Sequence, residues 1–175
     1  YRALRPDEQK DREQKNRDQM DWTPDLAAFA AIADLALALC PSRERRLETE
    51  AQGTAFRKIA TDLWPIDLDL PPKIAYPVAV GAWAAATSCP RPQTLLLYLH
   101  AFAANLVSAA VRLVPLGQTE GQRVLARLFD SLSAVADEAL SADLETGLDV
   151  LGGAVMRADL ASNHHETQYT RLFRS

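Results

Sequence analysis

The chain has 175 residues, enough for one compact domain with a core and short for two. Its 30 alanines and 25 leucines outnumber the 13 isoleucines and valines, which argues for an all-helical fold, because β-branched side chains lose rotamer freedom in helices. A net charge of −4 makes a polyanion-binding surface unexpected, and two cysteines with no motif spacing exclude a disulfide framework or a zinc site.

Residues 1–22 read as a charged arm, with six basic and six acidic side chains in 1–21 and no apolar period. Such a segment buries too little surface to offset its ordering entropy. The first residue is Tyr1, and nothing near it resembles a signal peptide, so an upstream stretch absent from this sequence is expected. An all-helical domain is expected over 23–163, followed by a polar tail over 164–175. The architecture predicted is a single-domain bundle of about six helices without a sheet.

Thr23-Pro24-Asp25 predicts a helix entry, and the helix LAAFAAIADLALALC runs to Pro41. Ser42 reads as the cap of a second helix reaching Trp64, with Phe56, Ile59, Ala60, Leu63 and Trp64 at helical spacing. Its charged start offers Arg46 and Glu50 as an ion pair and sets Glu44 against Glu48. Gly53 in its middle points to close backbone packing. Residues 65–73 predict an extended loop, Pro77 opens a short Ala-rich helix ending near Ser88, and a long helix covers 93–114.

That long helix is weighed as a membrane span, but His100, Asn105, Ser108 and Arg112 make insertion costly, so a buried central helix of a cytoplasmic protein is expected. Asn105, Ser108 and Arg112 share a face, as either an internal hydrogen-bond network or part of an interface. Thr119 and Gln122 fit a capping box for the next helix, to about Leu140. Ser141 starts a last helix ending around Asn163.

No phosphate loop, HExxH, G-x-S-x-G or CxxC occurs, so no catalytic residue and no metal ligand is assigned. Cys40 and Cys89 read as small core residues. His164 and His165 are neighbours that diverge by about 100° on a helix and are poorly placed to chelate one ion. The tail interleaves Tyr169, Leu172 and Phe173 with Arg171 and Arg174, the residue types that anchor interfaces. It either docks on its own domain or binds a partner.

Four segments, SRERRLETEAQGTAF (42–56), YPVAVGAWAAA (76–86), YLHAFAANLVSAAVRLVPLGQTEGQRVL (98–125) and DLASNHHETQYTRLFRS (159–175), together resemble the UreF family of urease accessory proteins. The resemblance covers about residues 24–175, while the family's N-terminal helical region has no counterpart here. It implies an all-helical, non-enzymatic protein that assembles with UreD/UreH, the GTPase UreG and apo-urease, dimerises in the complex, and holds no stable cofactor. Nickel is cargo handled by the complex, and neither nucleic acid nor membrane is a partner.

Carried over by residue, the resemblance implies a partner-binding tail of His165, Glu166, Tyr169, Arg171, Leu172, Phe173, Arg174 and Ser175, with Arg171 supporting recruitment of the GTPase. Glu48, Gly53, Asn105, Ser108, Arg112, Gln118, Thr119 and Gln122 are expected to be structural or interface positions. Two alternatives remain: a GTPase-activating regulator that supplies an arginine, and a truncated, self-associating helical domain without a retained partner.

Overall fold

The computed structural model describes residues 26–64, 66, 68, 70–142, 151 and 155–170. Among them the chain forms six helices and no strand: α1 (Leu26–Ala38), α2 (Arg43–Leu63), α3 (Tyr76–Ala86), α4 (Arg91–Leu113), α5 (Gln118–Ser141) and α6 (Met156–His165). The expected arm over 1–22 and the Thr23 helix entry lie outside the described residues.

Helix α1 stops three residues before Pro41 rather than running up to it. Proline bars the preceding residue from the helical region, and the chain closes through a turn in which the Cys40 amide donates to the Leu37 carbonyl. Ser42 then caps α2 as expected, extended at φ −148° and ψ 161°, with its Oγ accepting from the Arg45 amide.

The core forms where α2 meets α3 and the segment between them. Ile74, Ala75 and Ala79 are almost completely enclosed, and Leu70 and Ala82 complete the cluster with Phe29, Phe56, Leu68 and Val78 against it. Gly53 permits this approach, since a Cβ there would lie 3.0 Å from the Ile74 carbonyl carbon and overlap its oxygen. Side chains of α2 also serve the connecting backbone. Thr49 Oγ1 accepts from the Tyr76 amide at 3.1 Å, and Arg57 donates to the Leu70 carbonyl at 3.1 Å. The Leu70 carbonyl and the Tyr76 amide, at either end of the described connection, are thus paired by side chains of α2 without a sheet. Of the apolar stripe expected on α2, Ala60 is buried and Phe56 half-buried, whereas Ile59, Leu63 and Trp64 are exposed.

Helices α4 and α5, joined by the short turn 114–117, pack as an antiparallel hairpin with Val107 and Val111 against Gly121. A tilted ring contact between Tyr76 and Tyr98, 5.6 Å between centroids, ties α4 back to α3.

Three expectations need correction. Thr119 is not the cap: α5 begins at Gln118 with Gly117 as its N-cap, two residues earlier than expected, and no side-chain cap bond forms. The last helix does not run from Ser141 to Asn163, because Ser141 ends α5, Leu151 and Val155 are non-helical, and α6 starts at Met156. The sequence holds the reason, a Gly152-Gly153 pair in which each glycine costs about 1 kcal/mol in a helix. Finally, α4 is not enclosed by its neighbours. It is long and apolar enough to cross a membrane by length and composition, yet Ala103 is its one buried residue.

Candidate functional site: the joint between α2 and the C-terminal helix

The N-terminus of α2 and the C-terminus of α6 meet through side chains more than a hundred residues apart. A helix start leaves four amides without intrahelical partners. Ser42 Oγ takes the Arg45 amide and also shares a 2.6 Å hydrogen bond with Ser162 Oγ. Asn163 Nδ2 donates to the Pro41 carbonyl at 3.1 Å and to Asp159 in its own helix at 2.9 Å. Glu166 Oε1 accepts from the Glu44 amide at 3.2 Å, so a carboxylate from the tail sits at the positive end of α2. The Glu44 carboxylate in turn meets His165 Nδ1 at 2.5 Å, with Glu44 largely covered and His165 about a third exposed.

His165 and Glu166 are thus brought together and held against their own domain. Beyond them Tyr169 is fully exposed, while Arg171, Leu172, Phe173, Arg174 and Ser175 lie outside the described residues. His164 is exposed. Among the described residues no group of three or more His, Cys, Asp or Glu side chains is arranged to hold a metal ion.

The other expected positions scatter. Glu48 accepts from Arg45 and Gln52 on its own helix, and Arg46 pairs with Glu50 at 3.0 Å as the spacing suggests. Glu44 does not merely oppose Glu48; it reaches His165. Asn105, Ser108 and Arg112 do share a face of α4, but all three are exposed, so no internal network forms. Within that stripe Arg112 Nε donates to the Ser108 carbonyl at 3.2 Å. Gln118, Thr119 and Gln122 are exposed at the start of α5, and Gln122 borders a hollow of about 530 Å³ with His100, Phe129 and Asp130. Cys40 is half-buried, with its thiol pushed up by desolvation, and Cys89 is exposed rather than in the core.

Sequence reasoning missed an apolar groove of about 620 Å³ between α1 and α3, lined by Phe29, Ile32, Leu39, Val78, Ala82 and Leu151. It also missed the bare apolar side chains of the hairpin, among them Leu97, Leu106, Leu113, Phe129 and Val135. The signal was present in the excess of apolar over enclosing residues, but nothing local said which faces would stay uncovered.

The described residues define an all-α protein with exposed apolar side chains on several helices and a C-terminal helix attached through polar bonds. A sequence profile of the UreF family matches residues 18–129. The chain belongs to the UreF family. It is 53% identical over 158 residues to a urease accessory protein UreF of Rhodopseudomonas palustris (strain BisA53), covering 86% of this chain and 64% of that protein. The UreF of Bradyrhizobium diazoefficiens is 54% identical over 150 residues, 82% of this chain and 60% of the relative. That of Methylobacterium radiotolerans is 48% identical over 159 residues, 87% of this chain and 68% of the relative. The chain thus spans less than two thirds of the length of the first two of these relatives.

Proposed function

We propose that this chain is a non-catalytic adaptor in urease maturation, acting in the cytoplasm with a UreD/UreH-type protein, a UreG-type GTPase and apo-urease during nickel insertion. Nickel is the cargo of that assembly and not a resident cofactor of this chain. Membership of the UreF family carries this reading, and the exposed tail start at Tyr169 supports the assignment of residues after Glu166 to partner contact. Aromatic and arginine side chains in a terminus that would otherwise fray are suited to anchoring in a partner's pocket.

The test is co-purification with a UreD/UreH-type protein, comparing the full chain with one ending at Gln168, which keeps the joint to α2. Loss of recovery on truncation is expected, and equal recovery overturns the role of the tail. In the adaptor reading, Arg171→Ala weakens recruitment of the GTPase. Retained binding with lost stimulation of GTP hydrolysis would instead favour the activator reading, since an arginine finger accelerates hydrolysis by about 10³–10⁵-fold.

Self-association is the second reading that a specific observation favours. Leu97, Leu106, Leu113, Phe129 and Val135 of the α4–α5 hairpin are left exposed. Sedimentation of the isolated chain distinguishes a defined dimer, which that reading requires, from a monomer, which overturns it.

A further inference from the structure

We propose that Glu44 positions the C-terminal tail, through a latch between α6 and the first turn of α2 that opens and closes as one unit. Helix α6 has no buried residue, and Val155, Met156 and Leu160 are all exposed, so apolar burial contributes little to its attachment. The side-chain ties to α2 and its cap are polar. They run from residues 162–166 to residues 41–44.

Two of these ties converge on Glu44, which uses its carboxylate for His165 and its amide for Glu166. Both are hydrogen bonds to charged or chargeable groups, which are stronger than neutral ones. Glu44 is also the residue at which two carboxylates, its own and that of Glu166, approach the same helix start, and the His165 ring bonds to one of them. Removing the Glu44 side chain therefore strips His165 of this partner, while the bond from the Glu44 amide to Glu166 is retained.

The tail leaves directly from this joint. The Thr167 amide donates to the His164 carbonyl and the Gln168 amide to that of His165, a turn that aims the chain outward to the exposed Tyr169. Closing the latch holds the start of the tail at α2; opening it frees α6 and the tail together. The latch itself depends on this chain alone, while its consequence for binding rests on the proposed role of the tail.

The experiment is hydrogen exchange read by mass spectrometry on the full chain, its Glu44→Ala and His165→Ala variants, and the exchanged pair Glu44→His with His165→Glu. In both single variants, exchange across 156–166 is expected to quicken about tenfold, the size of one lost charge-assisted hydrogen bond. Protection of α4 and α5 stays unchanged, and the exchanged pair recovers most of the protection in α6. Unchanged exchange in Glu44→Ala overturns the latch, as does an equal loss across all helices. Full-length and Gln168-ended chains that bind a UreD/UreH-type protein equally would overturn the role of the tail, and the exchange result alone then decides the latch.

Discussion

Gly53 of α2 and Ile74 of the following segment touch backbone to backbone, closer than any residue with a Cβ would allow. The contact lets the enclosed Ile74 and Ala75 lie flat on α2. Replacing Gly53 by alanine sets a helix-propensity gain of up to about 1 kcal/mol against a backbone clash that costs about 1–3 kcal/mol. The clash wins, because the obstacle is a carbonyl and not a flexible side chain. Gly53→Ala is expected to lower the urea midpoint. Gly81→Ala, in α3 with open space around it, is expected to raise stability by about 0.4–1 kcal/mol.

How much of this was legible in the sequence depends on whether the signal was local. The Ser42 cap and the mid-helix Gly53 were readable because a cap and a helical glycine are each defined within a few residues. Ile74 was not, since it sits in a proline-flanked segment with no apolar period, and its burial comes from α2 side chains twenty residues earlier. The joint was equally hidden, because nothing near Glu44 announces a histidine 121 positions away. The polar stripe Asn105, Ser108 and Arg112 was correctly placed on one face. Of the two readings open for it, the internal network does not form, because all three side chains are exposed.

Ser88 ends α3 in the left-handed region, at φ 53°. The bonds around it, from the Cys89 amide to the Ala84 carbonyl and from the Ser88 amide to that of Ala85, form a Schellman closure. Glycine normally occupies that position because a Cβ there costs about 1–2 kcal/mol. Ser88→Gly is therefore expected to stabilise the fold by about 1 kcal/mol, read as a higher melting temperature with an unchanged circular dichroism spectrum.

The two cysteines are expected to react at separable rates. The Cys40 thiol is partly covered, donates to the Ala36 carbonyl and is pushed toward the protonated form by desolvation, which the nearby Arg46 and Arg45 only partly offset. Cys89 is exposed beyond the end of α3. Because the thiolate is the reactive form, a thiol reagent should modify Cys89 in a fast phase and Cys40 in a slow one. Cys89→Ser removes the fast phase alone; a fast phase that survives it refutes the assignment.

Tyr98 gives the fold an alkaline limit. Its hydroxyl is pushed above the ordinary tyrosine value chiefly by burial, then by Tyr76, with Arg45 pulling the other way. In the unfolded chain the phenol ionises near pH 10. Between that pH and the higher folded value, the unfolded state binds fewer protons than the folded one, so stability falls as pH rises. The stabilisation is intact below about pH 10 and is lost as the folded phenol titrates. Tyr98→Phe keeps the ring beside Tyr76 and removes the ionisable group. The variant is expected to match the parent's melting temperature at neutral pH to within the cost of one hydroxyl, and to lose less of it above pH 10. A tyrosinate absorbance titration checks the same point directly, because a component above the ordinary tyrosine value should vanish in the variant.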